Sequence, residues 1–346
     1  MQDYKIYTDY AVEQACRLLA IDSPTGCTAA AEQHMLQLFR ELGYAPVHTT
    51  KGGVLVDLGG NNAEDGLLLE AHCDTLGAMV AEVKGNGRLR VAPLGGLPPV
   101  MVSTETCRII TKFDGSYEGT FQLCNASTHV NTNLRTTVPS YDNCEVVLDE
   151  LVFSGDEAKA LGIDVGDIVC FNPRTTVTEK GYIKSRFLDD KLSAGILISL
   201  AKYLKDEGIT PERRIWLHFT VYEEVGHGGA GSVPAGVTEA ISVDMGCVGD
   251  GLQCTEREVS ICAKDSGGPY SYEVVKKLIS AAKAREAKYA VDIYPSYGSD
   301  VEATLHAGWD IRHGLIGPGV YASHGYERSH KDGVENTLKV LLGYIL

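Results

Sequence analysis

The strongest constraint on the fold of this 346-residue chain is a change in its residue pattern partway along the sequence. Up to residue 77, and again from residue 178, segments with helical spacing alternate with short apolar runs typical of strands. Between Ala78 and Val177 the helical period fades, and short alternating runs such as CRIITKF and CEVVLDELVF are separated by Gly, Pro, Thr and Asn. Alternating helices and strands build an α/β domain, whereas short strands with frequent turns build a compact β domain. The sequence therefore predicts an α/β domain interrupted by a β insertion.

The α/β part contains recognisable elements on both sides of the insertion. A helix over 9–20 ends at SPTG, and a second helix over 28–42 is closed by Gly43. The run GLLLEAHCD at 66–74 is continuously apolar before its polar end, which is typical of a buried parallel strand. Further strands are predicted over 53–59, 214–222, 240–248 and 311–316, and further helices over 189–204, 271–287, 300–307 and 334–346.

The charge balance excludes two classes of partner. Lys and Arg together number 31 against 46 Asp and Glu, which gives a net charge of −15. Nucleic-acid surfaces and anionic membrane surfaces both require clustered basic residues, so neither partner is expected. The chain shows neither a basic segment followed by an apolar run at its start nor a membrane-length apolar stretch. Ten scattered cysteines without a CxxC pair are typical of reduced thiols, and we expect a cytoplasmic protein.

Polar residues stand where several apolar strands of the α/β part end. They occur in five segments: His72-Cys73-Asp74, Asp189-Asp190, Glu223-Glu224, Asp244, and a His-rich stretch at 324–330. Ligand sites in α/β sheets lie outside the carboxyl ends of the strands. The first four segments fit that position, and the sequence therefore predicts one site at this edge of the sheet.

The residue types in these segments indicate metal chemistry. Imidazole and carboxylate without a Cys pair suit Zn²⁺, Mn²⁺ or Co²⁺ rather than an iron–sulfur cluster. Several carboxylates in one place repel each other unless cations neutralise them. Two metal ions would do so and would also make a hydrolytic site, in which one carboxylate bridges and another, outside the metal shell, accepts a proton from water.

Adjacent glutamates indicate how this labour is divided. Neighbours in a strand point to opposite faces, so Glu223 and Glu224 reach one site only where the strand ends and the chain turns. Gly226, Gly228 and Gly229 follow at once and permit that turn. One glutamate is then a metal ligand and the other a base. The two-residue spacing of His72 and Asp74 places both on one face, where Asp74 orients a ligand or the base.

These motifs, taken in order, resemble the M42 family of dinuclear metallo-aminopeptidases, some of whose members have been labelled endoglucanases. The resemblance rests on EAHCDTLGAMV, SRFLDDKLSAG, VYEEVGHGGA, ISVDMG and SHGYE, and it covers about residues 5–346. It implies a zinc-peptidase-like catalytic domain, with a mixed sheet flanked by helices, over 1–77 and 178–346. It also implies an inserted small β-barrel or PDZ-like domain over 78–177, which serves oligomerisation or substrate access.

The family pattern carries over to individual residues. It implies that His72 ligates one metal and Asp74 orients it, and that Asp189 is the bridging carboxylate with a cis peptide before Asp190. It further implies that Asp244 completes the ligands of the first metal.

The same pattern implies that Glu223 is the general base and Glu224 a ligand of the second metal. The last ligand is a His near the C-terminus, where YASHGYERSH departs from the family's pattern by one residue of register. The Glu that follows favours His324, with His330 as the competitor. Lys191 and His227 also depart from the family's usual residues and bear on substrate preference, whereas His129 is interpreted as a loop residue.

The expected activity is removal of the first residue from a peptide with a free N-terminus. The resemblance implies two divalent metal ions per chain, with Zn²⁺ preferred over Co²⁺ or Mn²⁺, and a homo-oligomer, in the family often a dodecamer. Two alternatives stay open: a metal-dependent deacylase of N-acyl amino acids or related small amides, and a non-catalytic scaffold of the same fold. A glycosidase is disfavoured because it needs two carboxylic groups that flank a sugar, without the metal set.

Overall fold

The computed structural model describes residues 4–113 and 115–346. The chain divides into two compact units. The first consists of Met1–Asp74 and Arg174–Leu346, and the second is Thr75–Pro173. The sequence analysis placed the two junctions after residues 77 and 177.

The first unit begins with two helices and three strands and resumes after the insertion. Its leading elements are α1 (Lys5–Leu19), α2 (Ala29–Glu41), β1 (Val47–His48), β2 (Val54–Gly59) and β3 (Asn62–His72). The second unit contributes β4 (Gly77–Val83), β5 (Leu89–Leu94), α3 (Pro99–Val102), β6 (Glu105–Ile110), β7 (Ser116–Leu123), β8 (Cys144–Leu148), α4 (Gly155–Ala160) and β9 (Ile168–Phe171). The first unit then continues with β10 (Thr176–Val177), β11 (Tyr182–Ser185), α5 (Leu188–Asp206), β12 (Arg213–Thr220), β13 (Val237–Val243), β14 (Gly246–Val248), β15 (Val259–Lys264), α6 (Tyr272–Ala284), β16 (Tyr289–Ile293), α7 (Asp300–His306), β17 (Arg312–Tyr321), β18 (Glu327–His330) and α8 (Lys331–Ile345).

The first unit is built on a large mixed sheet flanked by helices. Along its main path the strands run in the order β1-β2-β12-β3-β13-β17-β18-β11-β10, with β14, β15 and β16 attached beside β17. The central neighbours β12, β3, β13 and β17 are parallel to one another, so their carboxyl ends meet at one edge. The continuous apolar run of β3, buried over its second half, fits this central position. The predicted fold class is confirmed.

The second unit is a closed antiparallel barrel with the strand order β4-β5-β8-β7-β6-β9. Closure removes the exposed sheet edges of a small β domain. Its interior holds Phe121 and Phe171, whose rings meet edge to face with centroids 5.6 Å apart. The short helix α4 starts with a capping box, because Ser154 and Glu157 satisfy each other's backbone N–H groups. The sequence analysis expected little helix here and missed α3 and α4.

The strand predicted over 240–248 is in fact two strands. β13 pairs with the first half of β17 and β14 with its second half, and Asp244 and Met245 lie between them. The backbones approach closely at this break, where a Cβ on Gly317 would lie 1.7 Å from the Asp244 carbonyl oxygen. Because the strand is interrupted there, Asp244 belongs to neither strand and lies at the carboxyl end of β13. β17 is longer than predicted, and β15 and β16 were missed.

Lys191 has a structural role that the sequence analysis did not foresee. Its side chain is buried in α5, and its Nζ donates to the carbonyl oxygens of Leu18 at 3.0 Å and Ile21 at 2.7 Å. These carbonyls lie at and just beyond the end of α1, where backbone acceptors lack helical partners. The interpretation that Lys191 bears on substrate preference is therefore wrong, because its ammonium group holds two elements together. No described helix is both long and apolar enough to cross a bilayer.

A carboxyl pair joins α7 to the loop after β15. Asp265 accepts hydrogen bonds from the hydroxyl of Tyr270 and from the N–H of Gly267, the latter at 3.0 Å. Burial of Glu302, together with its hydrogen bond to Asp265, raises the pKa of Glu302 to about 8. Glu302 therefore keeps its proton to a higher pH than a free carboxyl group does, and donates it in the hydrogen bond to Asp265.

This pair predicts a stability that decreases with pH. The folded chain holds the Glu302 proton more tightly than the unfolded chain, so the contribution is complete below pH 4.5 and is lost as pH rises towards about 8. Glu302→Gln keeps a donor towards Asp265 at every pH. We expect the melting temperature of the variant to exceed that of the wild type at pH 8.5 and to converge with it at pH 5. The exposed Glu273→Gln is the control. An equal difference in melting temperature between Glu302→Gln and the wild type at both pH values would contradict the raised pKa of Glu302.

Candidate active site

The predicted site residues meet at the carboxyl edge of the parallel strands. His72 is the last residue of β3, and Asp244 follows β13 directly. Glu223 and Glu224 begin a 3-10 turn, Glu223–Val225, three residues after β12 ends. The pairing of Thr220 with His72 places the ends of β12 and β3 side by side. The side chains reach one place because their strands end at one edge.

His72 is at the centre of the cluster and is buried. Its Nδ1 lies 2.9 Å from the backbone oxygen of Asp74 and is the donor there, because a carbonyl oxygen only accepts. Nε2 lies 3.1 Å from Asp189 Oδ1 and 3.6 Å from Glu223 Oε2. Burial alone would lower the pKa of His72, but Asp189, Glu223 and Asp244 raise it well above its ordinary value.

The carboxylate of Asp74 is hydrogen-bonded to the turn that carries the glutamates and lies farther from His72. Its Oδ2 accepts from the Thr25 hydroxyl at 2.7 Å, and its Oδ1 accepts from the backbone N–H of Glu223 at 3.2 Å. The distance from Oδ1 to Nδ1 of His72 is 3.7 Å. His72 is therefore oriented by the backbone carbonyl of Asp74, while the Asp74 side chain positions Glu223.

Asp189 lies between two histidines. It lies two residues after Phe187, which has a left-handed backbone, and the peptide between Asp189 and Asp190 is cis, as the resemblance implied. Oδ1 of Asp189 faces His72, and Oδ2 lies 3.7 Å from Nε2 of His324. Burial opposes ionisation of Asp189, but the hydrogen bond with His72 and the charge of His324 lower its pKa below the ordinary value. A carboxylate with one oxygen towards each side has the geometry of a bridge.

The two glutamates face different parts of the cluster. Tyr222 and Gly226 both have positive φ, and this tight turn lets adjacent side chains reach the same edge. Glu223 points towards His72, whereas Oε2 of Glu224 lies 3.6 Å from Nε2 of His324. Oε1 of Glu224 is buried and has no hydrogen-bond partner among the described residues. Burial, with the charges around it, raises the pKa of each glutamate well above the ordinary value.

The structure separates the two competing histidines. His324 stands at the cluster, beside Asp189 and Glu224. His330 is the N-cap of α8, where its Nδ1 accepts from the N–H of Asp332 at 2.9 Å and its Nε2 donates to the carbonyl of Lys180 at 2.8 Å. Both ring nitrogens of His330 are thus engaged away from the cluster. The exposed His129 lies in the barrel unit.

Glu327 and Asp190 are two residues of the cluster to which the sequence analysis gave no role. The buried Glu327 accepts from the N–H of His324 at 3.0 Å and from the N–H of Asp189 at 3.1 Å, so one side chain holds two site segments together. Both carboxylate oxygens of Asp190 are buried and lack a hydrogen-bond partner within the described ranges. In the sequence, the adjacent pair Asp189-Asp190 could have pointed to Asp190, and the last residue of SHGYE could have pointed to Glu327.

The donor set fits divalent cations. His72, Asp189 and Glu224 form one group whose ligand atoms all lie within 4.8 Å of one another, and His72, Asp190 and Asp244 form another. Burial, with the charge of Asp189, raises the pKa of Asp244 to about 7, and burial with Asp244 raises that of Asp190 well above its ordinary value. Buried carboxylates without donors are costly unless they are paired or bind cations. Imidazole nitrogen and carboxylate oxygen are ligands of Zn²⁺ and related ions.

Comparison with known proteins identifies the family of this chain. The model of the M42 glutamyl aminopeptidase family matches residues 52–340. A Bacillus subtilis (strain 168) protein named “Putative aminopeptidase YhfE” is 41% identical over 330 residues, which is 95% of each chain.

Solved structures show the same fold. An aminopeptidase from the archaeon Desulfurococcus kamchatkensis superposes with a TM-score of 0.87 at 19% identity, covering 98% of this chain and 95% of that chain. The TET1 peptidase of Pyrococcus horikoshii, described as assembling into a tetrahedron or a large octahedral shell, superposes with a TM-score of 0.85 at 21% identity, covering 97% and 99%. The resemblance inferred from the motifs is confirmed: the chain belongs to the M42 family of metal-dependent aminopeptidases and is a peptide hydrolase.

Proposed function

We propose that this protein is a two-metal aminopeptidase that removes the N-terminal residue from peptides. The observation that carries the proposal is the meeting of two imidazoles and several buried carboxylates at one strand edge. Oxygens of Asp190 and Glu224 there have no hydrogen-bond partner among the described residues. The first ion is assigned, as the family resemblance implies, to His72, Asp189 and Asp244, and Asp190 is a further carboxylate within reach of His72 and Asp244. The second is assigned to Asp189, Glu224 and His324. Zn²⁺ is the preferred ion, with Co²⁺ and Mn²⁺ as alternatives that suit the same ligands.

Glu223 is proposed as the general base. It belongs to neither group of candidate ligands, although its carboxylate lies 3.6 Å from His72 Nε2. Bound metal ions polarise a carbonyl oxygen and lower the pKa of water. Glu223 then accepts a proton at its carboxylate and passes it to the departing amine. Asp74 keeps this carboxylate in place through the Glu223 N–H, and Thr25 holds Asp74.

The barrel unit is proposed to build contacts between copies of the chain. Several of its apolar side chains are largely exposed, with relative exposures of 72–88%: Phe113, Val130, Leu151 and Phe153 among them. Exposed apolar side chains contribute to association where they form a continuous patch. The shells described for the Pyrococcus horikoshii relative support a homo-oligomer. The family resemblance makes a dodecamer the expected size. Mass measurement in solution tests the proposal, which a monomer at all concentrations would contradict.

Replacement of the base predicts loss of turnover without loss of metal. Glu223→Gln removes the proton acceptor and keeps the shape, so we expect kcat to fall about 100- to 10,000-fold. Metal content by mass spectrometry is expected to equal that of the wild type. Glu64→Gln, on the exposed start of β3, is the control. Wild-type kcat in the Glu223→Gln variant would remove Glu223 from the role of base.

The two C-terminal histidines predict opposite defects. His324→Ala removes a proposed ligand, and we expect about one metal ion per chain instead of two. His330→Ala removes the N-cap of α8, which costs about 1 kcal/mol of stability, and leaves the metal content unchanged. Metal analysis and thermal melting of both variants measure the two effects. Loss of metal in the His330 variant alone would reverse the assignment.

Metal removal tests the function as a whole. The purified protein is assayed on a panel of aminoacyl anilides and their N-acetylated counterparts, before and after chelation and metal repletion. We expect chelation to abolish release of the free-amine residues and added Zn²⁺, Co²⁺ or Mn²⁺ to restore it. Cleavage of only the acetylated substrates would favour the deacylase. Absence of bound metal after repletion would favour the non-catalytic scaffold.

A further inference from the structure

A buried layer of polar side chains lies beneath the turn that carries the glutamates. Glu70 and His72 share one face of β3, and His218 and Thr220 share one face of β12, because each pair is two residues apart. In the sheet, His218 pairs with Glu70 and Thr220 with His72. Nδ1 of His218 lies 3.1 Å from Glu70 Oε1. All four side chains are almost completely buried, so this layer continues the polar site into the interior.

Helix α7 closes this layer with two further polar side chains. Asp300, its first residue, accepts a hydrogen bond from the hydroxyl of Thr220 through Oδ2. Thr304 is one turn later, and its Oγ1 lies 2.8 Å from the carbonyl oxygen of Gly229 and 3.3 Å from Glu70 Oε2. Asp300 and Thr304 are 3% and 0% exposed. The helix therefore meets the sheet through hydrogen bonds at a place where ordinary packing would be apolar.

The turn that carries Glu223 rests directly on these two residues. A Cβ on Gly228 would lie 2.1 Å from Asp300 Oδ1 and 3.0 Å from the backbone nitrogen of Glu223. A Cβ on Gly229 would lie 2.3 Å from the Asp300 carbonyl oxygen and 2.6 Å from Thr304 Oγ1. Only glycine fits at both positions, so the backbone of the turn is in contact with the helix.

The turn is also held by a lysine and by its own backbone. Nζ of Lys51 donates to the carbonyl oxygens of His227 and Gly228. Within the turn, the N–H of Gly226 donates to the Glu223 carbonyl at 2.7 Å. The segment from Glu223 to Gly229 therefore contacts both a cation and α7, and a movement of either support would move Glu223.

We propose that Thr304, Asp300 and Lys51 are positioning residues for Glu223. They act through the backbone of Gly228 and Gly229 and touch no reacting atom. The inference rests on the proposed role of Glu223 as general base. A base must stand within hydrogen-bond reach of the proton it accepts, and displacement by about 1 Å costs about 100-fold in rate.

The test uses a matched pair at Thr304 in the metal-saturated full-length protein. Thr304→Val keeps the shape and removes the hydroxyl that holds Gly229, and Thr304→Ser keeps the hydroxyl. We expect Thr304→Val to lower kcat about 10- to 100-fold per folded, metal-loaded chain, with KM within about 2-fold of the wild type. Thr304→Ser is expected to recover kcat to within about 3-fold of the wild type, with equal metal content in all three proteins.

A second pair keeps the inference testable if the valine variant does not fold. Lys51→Met removes the donor to both carbonyls from a partly exposed side chain, and Lys51→Arg keeps a donor there. We expect Lys51→Met to lower kcat with little change in KM, and Lys51→Arg to recover most of it. Wild-type kcat in both Thr304→Val and Lys51→Met would overturn the inference, as would a serine variant no better than valine.

Glu223→Gln, measured in parallel, separates the two possible failures. If Glu223→Gln abolishes turnover while the Thr304 and Lys51 variants keep it, the positioning inference fails and the proposed function stands. If Glu223→Gln keeps turnover, the proposed base is wrong and the inference fails with it. A fall in metal content that follows the fall in kcat would assign these residues a role in holding the ligands and would overturn their role in positioning the base.

Discussion

The structure depends on a concentration of buried negative charge at one edge of a parallel sheet. Asp189, Asp190, Asp244, Glu223 and Glu224 are gathered around His72, and burial with mutual repulsion raises the pKa of most of them. Several oxygens there have no donor within the described residues. Such a cluster is costly in a protein interior and becomes favourable when cations occupy it. The surrounding fold is arranged to hold these groups close together.

Residues around the acidic cluster hold its side chains in direction. Glu327 ties His324 to Asp189, and Asp74 ties Glu223 to Thr25. These contacts run largely through backbone N–H groups, which have fewer conformations than side chains. Metal sites depend on such outer contacts because they fix ligand direction before any ion arrives. The contact of α7 with Gly228 and Gly229 supports the turn in the same way, from residues further from the cluster.

Much of the site could be predicted from the chain because strand ends are visible in a sequence. The apolar run before His72 and the glycines after Glu223-Glu224 mark where strands end and turn, and the order of the motifs led to the M42 family. Lys191 shows the limit of this reasoning. Its departure from the family pattern pointed towards substrate, whereas its ammonium group binds the carbonyls at the end of α1, a contact made across 170 residues of chain.

The amino-acid sequence by itself determined the α/β class, the β insertion and the residue types of a metal site, because periodicity, turn residues and donor chemistry are local properties. Only the tertiary structure decided which histidine faces the cluster, since His324 and His330 differ in their neighbours and not in their chemistry. The tertiary structure alone brought Thr304 and Lys51 to the turn that carries Glu223, and Glu327 to His324 and Asp189. Contacts between distant segments depend on how strands pair and helices pack, and no local pattern records them.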